Sequence, residues 1–394
     1  MHVDVEAIEQ ELSSLKIIKK NNIYQSQLES VLFSIERNIS RIGNRNPKIG
    51  NSDYSYQFCG PADWVSGFWC GQLWLSYMVT AKSEFKNSAL LRKKYFKTLL
   101  NNPDWTDHDL GFQFSLSAVA AYELTGDKES KQQALTAADL LLARFRRIGK
   151  YIVAWNETHE LGLDKTQGKT IIDSLQNLSL LFWASDKTSN PVYRNAAVAH
   201  AETMMTHIVR EDYSTFHVFD FDPLTQKPIR GGTFQGAHDD SCWSRGQAWA
   251  IHGFAQIYKN TGDGRYLALA KNLAEYAMKR IPSDGVPKWD YSLLDGQTPY
   301  RDSSAGAITA AGLLSIAEFC SQLDERDKYT NWARKILDGL IQECDLTGNS
   351  DAQGLLNQGA SFVNADLVDN MLPYGDYYYL ESLMRINGYT EFFW

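Results

Sequence analysis

Ser244-Arg-Gly-Gln-Ala-Trp-Ala250 is one of six short segments, rich in Gly, aromatic and small residues, that each run directly into an apolar helical pattern. The others are Gly71-Gln-Leu-Trp-Leu-Ser-Tyr77, His108-Asp-Leu-Gly-Phe-Gln-Phe114, Asp173-Ser-Leu-Gln-Asn-Leu-Ser-Leu180, Asp302-Ser-Ser-Ala-Gly-Ala-Ile308 and Tyr374-Gly-Asp-Tyr-Tyr-Tyr-Leu380. Between consecutive members lies a second, more charged helical stretch. One supersecondary unit recurring along a chain marks a repeat architecture. Buried, aromatic helices alternating with amphipathic ones predict an all-α fold, an (α/α)6 barrel of six helical hairpins with little strand. In such a ring the inner helices run parallel, so their first turns converge on one mouth.

Working outward, apolar residues at helical spacing occur over 5–41 (Ile8, Leu12, Leu15 and Ile18, then Leu28, Val31, Leu32 and Ile35), with a break near Asn21. Residues 42–63 read as loop. Amphipathic outer helices are expected over 85–100, 128–147, 190–210, 266–280 and 326–343, and inner ones over 112–124, 175–184, 246–258, 305–320 and 377–386. Thr125-Gly-Asp127 and Thr261-Gly-Asp263 repeat the same helix stop. The stretch 217–236 alternates Phe and Val and contains Arg230-Gly-Gly232, so it reads as a short hairpin or ordered loop. No linker-like composition interrupts 394 residues, which predicts a single domain spanning 1–394.

Composition narrows the partners. The net charge is −8 and no basic stripe is visible, which argues against a nucleic acid. No apolar run is long enough to span a bilayer, so no membrane partner is expected. The sequence starts without a basic, then apolar, leader, and five scattered cysteines lack Cys-x-x-Cys spacing; a cytoplasmic location is the expectation. Aromatics at 12% suit surfaces that stack on sugar rings, and equally suit core filling. No His/Cys/Asp cluster has metal-ligand spacing and no Gly-rich loop follows a strand, so neither metal nor cofactor is implied. Oligomeric state is not encoded in any pattern here.

Asp109, Asp173, Arg245, Asp302 and Asp376 stand at the first turns of inner helices, with Trp64, Trp69, Trp155, Trp243 and Trp249 around them. Asp is also a favoured N-cap, and Asp173-Ser-Leu-Gln176 has the outline of a capping box. Carboxylates that act on sugars work in pairs or with a water. The polar companions His108 and Asn177 exceed what a cap requires.

Seven blocks in order resemble the unsaturated glucuronyl hydrolases, glycoside hydrolase family 88: Trp64-Val-Ser-Gly-Phe-Trp69, His108-Asp-Leu-Gly-Phe112, Ile171-Ile-Asp-Ser174 with Leu180-Leu-Phe-Trp-Ala184, Arg230-Gly-Gly-Thr233, Trp243-Ser-Arg-Gly-Gln-Ala-Trp249, Tyr300-Arg-Asp-Ser-Ser-Ala305 and Tyr374-Gly-Asp-Tyr-Tyr378. The resemblance implies the same barrel, and as substrate an oligosaccharide with a 4,5-unsaturated uronic acid at its non-reducing end, of chondroitin or hyaluronan type. It implies hydration of the C4=C5 double bond, with Asp173 as general acid and base and Asp109 as the stabilising, positioning carboxylate. Trp64, Trp155 and Trp249 match positions that hold sugar rings, and His217 and Gln235 match polar substrate contacts. Arg245 is expected to pair with a substrate or catalytic carboxylate; His108 and Trp243 complete the binding set. Where at least one member of the family carries a histidine before the glutamine, this chain has Phe234. Residues 357–373 contain no Lys or Arg, which predicts weak or no preference for sulfate on the second sugar. The rival readings are an unsaturated rhamnogalacturonyl hydrolase, a sugar epimerase on the same kind of barrel, and a non-catalytic carbohydrate-binding barrel.

Overall fold

A computed structural model describes residues 23–156 and 166–394. The apolar pattern over 5–20 lies outside the described residues. Helix α1 (Ile23–Ile42) is followed by a hairpin of β1 (Pro47–Gly50) and β2 (Tyr56–Phe58). Then come α2 (Ser66–Thr80), α3 (Ser83–Leu90), α4 (Lys93–Leu100), α5 (Leu110–Phe114), α6 (Ala120–Thr125) and α7 (Lys128–Ala143). Strands β3 (Phe145–Arg146), β4 (Tyr151–Ile152) and β5 (Lys169–Ile171) precede α8 (Ser174–Thr188) and α9 (Pro191–His207). Strands β6 (Val218–Phe221) and β7 (Pro228–Gly232) precede α10 (Ser244–Thr261), α11 (Gly264–Met278), α12 (Ser303–Phe319), α13 (Leu323–Glu343) and α14 (Pro373–Ile386).

The inner helices pack in sequence, α2 on α5, α5 on α8, α8 on α10, α10 on α12 and α12 on α14; α14 returns to α2 and closes the ring. This is the expected (α/α)6 barrel, and α1 covers α14 from outside. Inner helices are buried around their whole circumference: α12 is buried from Ser303 to Ala317. Small residues allow that crowding. A Cβ on Gly312 would lie 3.1 Å from the His252 backbone nitrogen, so α10 and α12 touch main chain to main chain there. Outer helices bury one stripe only, as α13 does with Tyr329, Ala333, Ile336, Leu337 and Leu340.

The Thr-Gly-Asp signals perform two jobs at the two inner-to-outer reversals that carry them. Gly126 and Gly262 adopt φ of 72° and 70° to end α6 and α10. The following Asp127 and Asp263 then accept from Ser130 N and Arg265 N, capping α7 and α11.

Three details depart from the periodicity. The expected helix over 85–100 is two helices, because the buried Arg92 guanidinium at the break bonds Asn46 and the carbonyls of Gly43 and Arg45. The second inner helix is interrupted by one π-helical stretch, Ser115–Val119. The helix expected over 128–147 ends at Ala143, and the antiparallel β3–β4 pair follows. Stretch 217–236 forms the β6–β7 hairpin, to which β5 adds as a third antiparallel strand.

Candidate active site

Asp109 and Asp173 occupy the N-cap positions of α5 and α8, yet neither side chain makes a capping hydrogen bond. Asp302 shows the contrast: its Oδ1 accepts from Ser304 N at 3.1 Å and Ala305 N at 3.4 Å, an ordinary cap. Asp376 holds a loop, accepting from Leu356 N at 3.0 Å and Tyr56 Oη at 2.6 Å. Asp173 is 8% exposed and Asp109 7%, and the two carboxyls lie close enough for the charge of Asp173 to bear on Asp109.

Each carboxyl faces a buried histidine, and hydrogen bonding settles both tautomers. His217 Nδ1 accepts from the backbone N–H groups of Phe234 and Gln235, both at 3.1 Å, so its proton is on Nε2. That Nε2 lies 3.8 Å from Asp173 Oδ2. His108 Nδ1 faces the Asn177 Nδ2 donor at 3.5 Å, which leaves its proton on Nε2 as well, 3.6 Å from Asp109 Oδ2. Burial, aided by the Arg144 charge, holds His108 well below the usual imidazole range. Burial, aided by Arg245, brings His217 down to about 3. Both rings are therefore neutral N–H donors.

Four buried polar atoms here lack a partner at full hydrogen-bond geometry: Asp173 Oδ2, His217 Nε2, His108 Nε2 and Trp249 Nε1. Gaps of 3.6–3.8 Å between matched donors and acceptors suit a bridging oxygen from a ligand or water. Burial raises the Asp173 carboxyl to about 7 against the opposing Arg245 charge and Trp249 N–H. Burial, Asp107 and Asp173 push Asp109 well above the carboxylate range, against the Asn177 donor and Arg144. Two buried carboxyls whose charges oppose each other do not both ionise readily, and the Asn177 donor and the Arg144 charge act on Asp109 to favour its ionised form, a division that suits the pair to general acid–base work.

Around the pair stand aromatic walls. Trp64 is partly exposed and stacks on Tyr374 at 5.1 Å, with Phe68 and Phe112 behind it. Trp249 is fully buried against Phe112 and Tyr378, so its indole N–H alone is turned toward the site. Trp243 is also buried and packs on His217 at 4.5 Å. Trp155 is partly exposed and meets Phe234 edge to face at 5.8 Å; Phe234 in turn contacts Phe362 at 5.2 Å. These three rings form the outer side of the mouth.

Arg245 holds protein rather than an open face of the site. Its Nη1 pairs with Asp302 Oδ2 at 2.5 Å and donates to Ala360 O at 2.7 Å; Nη2 donates to Ser361 O at 2.7 Å. Gln235 Nε2 donates to the same Ser361 carbonyl at 2.9 Å. Sequence reasoning did not foresee that these two side chains would tie down the loop bearing Phe362. The role of His200, Nδ1 of which accepts from Ile152 N while Nε2–H donates to Ser174 Oγ at 2.7 Å, was equally invisible. His200 thereby pins the residue beside Asp173. Among the described residues, no three His, Cys, Asp or Glu side chains converge to hold a metal ion, and no helix is long and apolar enough to cross a membrane.

Comparison with known proteins identifies the family of the chain. Residues 35–393 match the model of Glycosyl Hydrolase Family 88. The chain is 38% identical over 378 residues to an unsaturated glucuronyl hydrolase of Bacillus sp. (strain GL1), covering 94% of this chain and 99% of that protein. The crystal structure of the Bacillus sp. GL1 enzyme, described as responsible for the degradation of glycosaminoglycan, superposes with a TM-score of 0.88 at 37% identity, covering 93% of this chain and 97% of that one. An unsaturated chondroitin disaccharide hydrolase of Streptococcus pneumoniae is 33% identical over 96% of this chain and 95% of its own length. A mutant unsaturated glucuronyl hydrolase of Streptococcus agalactiae complexed with dGlcA-GalNAc6S has a TM-score of 0.81 at 32% identity, over 94% of this chain and 93% of that one.

Proposed function

The chain belongs to Glycosyl Hydrolase Family 88, and is a glycosidase; from that premise we propose that it hydrates the C4=C5 bond of a 4,5-unsaturated uronic acid at the non-reducing end of a glycosaminoglycan fragment. The observation that carries this reading is Asp173: a buried carboxyl, free of capping, with Oδ2 unpartnered and its proton held to about 7.

Protonated Asp173 delivers its proton to C4, and the π electrons of the enol ether form the new C–H bond. Positive charge then develops at C5 and on the ring oxygen, where ionised Asp109 stabilises it. The carboxylate left on Asp173 takes a proton from the water that adds at C5. The resulting hemiketal opens at the C5–ring oxygen bond, and collapse at C1 expels the second sugar as its alcohol. One water is consumed and nothing is oxidised or reduced. Neutral His217 and His108 donate through Nε2 to substrate oxygens or to the attacking water, while Trp64 and Trp155 present ring faces to the sugars.

For the second sugar we propose an unsulfated residue, or one whose sulfate is ignored. Trp155, Phe234 and Phe362 line the outer mouth, and residues 357–373 contain no Lys or Arg. Arg230, on the groove beyond Phe234, is already flanked by Asp220 at 3.6 Å and Asp239 at 3.9 Å.

The test follows the ultraviolet band of the conjugated double bond during incubation with unsaturated chondroitin and hyaluronan disaccharides. Bleaching by the wild type is expected. Bleaching only of an unsaturated rhamnogalacturonan disaccharide moves the protein to pectin fragments; bleaching of none overturns the reading.

A further inference from the structure

Helix α5 starts with a carboxylate that does not cap it, so its first-turn N–H groups need another acceptor. Phe112 N, at the third helical position, finds one on a different helix: Asn177 Oδ1, at 2.7 Å. Asn177 sits one turn into α8, four residues after Asp173, and is fully buried. Its Nδ2 donates to Asp109 Oδ1 at 3.0 Å. The orientation of the amide is settled by Phe112, since a backbone N–H accepts nothing.

Gly111 makes the arrangement possible. A Cβ there would come within 2.2 Å of Asn177 Cα and 2.6 Å of its Oδ1. The main chains of α5 and α8 thus meet at the point where the amide crosses.

We propose that Asn177 is a positioning residue that caps α5 in place of Asp109 and, with the same amide, fixes Asp109 Oδ1 so that the freed carboxylate serves the reaction. One short side chain on the helix of Asp173 thereby fixes the direction of Asp109 Oδ1 and favours its ionised form. The assignment rests on the reading of Asp109 as the ionised partner of Asp173. The other groups that bear on Asp109 are Asp107, whose Oδ1 accepts from Asp109 N at 2.8 Å, together with His108, Asp173 and Arg144.

Two variants separate capping from positioning. Asn177→Asp keeps an acceptor for Phe112 N but turns a carboxyl toward Asp109. Asn177→Leu removes both bonds at similar volume. Both should lower kcat by about 100-fold or more with KM within about threefold. In both, the acid limb of the kcat/KM profile should move to higher pH by about one unit, because the donor that favours ionised Asp109 is gone. Asn177→Asp should keep a Tm near that of the wild type at mildly acidic pH, whereas Asn177→Leu should lose several degrees.

Carboxyl 13C NMR titration of Asp109 reads the same effect without turnover, so a wrong substrate assignment does not hide it. An upward shift in both variants supports the role. An unmoved Asp109 titration, or losses of kcat that merely follow Tm, overturns it.

Discussion

Replacing Asp173 by Asn should make the protein more stable and inactive, and the gain should depend on pH in a defined way. The Asp173 carboxyl is buried and raised from 3.8 to about 7 in the folded protein. Each pKa unit is worth about 1.4 kcal/mol, so burying this acid costs roughly 4 kcal/mol once the unfolded chain ionises. The sign follows from proton counts. Between pH 3.8 and about 7 the folded form keeps a proton that the unfolded form has lost, so wild-type stability falls as pH rises through that window. Asn has nearly the same shape and no proton to lose, and its carbonyl still faces His217 Nε2–H. The variant should match the wild type at pH 3 to 4, gain steadily above it, and level off above pH 7 at up to ~4 kcal/mol. With an unfolding entropy of about 2.1 cal/mol/K per residue, 394 residues convert that to roughly 5 °C in Tm. The assay is thermal unfolding of both proteins from pH 4 to 8, beside the ultraviolet assay of turnover. Turnover should fall by at least ~1000-fold. A stability difference that does not vary with pH, or a variant less stable at pH 8, would refute the argument that Asp173 is a strained acid.

Other consequences are open to the same tools. Wild-type kcat/KM should decline as pH rises above about 7, where Asp173 loses the proton that the proposed mechanism requires it to deliver; a profile still rising at pH 9 would contradict the proposed role as the acid. Asp302→Asn leaves the Arg245 guanidinium, 2% exposed, without its anionic partner, at a cost of about 3–5 kcal/mol. Calorimetry should show the loss, and KM should rise because the carbonyls of Ala360 and Ser361 lose a well-held donor. Phe234→His should alter the ratio of kcat/KM for sulfated and unsulfated chondroitin disaccharides more than it alters kcat on the unsulfated one; an unchanged ratio would remove Phe234 from the second-sugar wall. Gly111→Ala should unfold at a temperature several degrees lower and lose activity, since its methyl meets backbone that cannot yield.

How far the sequence revealed this depended on whether a residue's role was local. The inner helices were legible because burial on all sides forces an unbroken apolar and small-residue pattern, and the Thr-Gly-Asp reversals because αL backbone and N-capping have short-range signatures. Starts of α10, α12 and α14 fall two to four residues earlier than the apolar pattern suggests, at Ser244, Ser303 and Pro373, because polar first turns are buried in the mouth. Asp109 and Asp173 stood out by position, but whether they cap could not be read, since a cap and a freed carboxylate look alike in one dimension. Arg245 looked like a ligand for a substrate anion; its partners, Asp302 and the carbonyls of Ala360 and Ser361, lie 57 to 116 positions away. The π-helical stretch and the role of His200 likewise arise only when distant segments meet.

The ring is closed without a covalent joint. Gly50 N donates to Met371 O at 2.8 Å, Asn370 Nδ2 to Gly50 O at 3.1 Å, and Tyr56 Oη to Asp376 Oδ2 across 320 positions. Trp64 waits for Tyr374 in the same way. During synthesis, the first inner helix therefore leaves the ribosome long before its neighbour exists, with an apolar flank that nothing yet covers. Contacts of such span are made late and expose sticky surface meanwhile. A ribosome that stalls before residue 370 yields a chain holding both Asp109 and Asp173, with no closed wall around them.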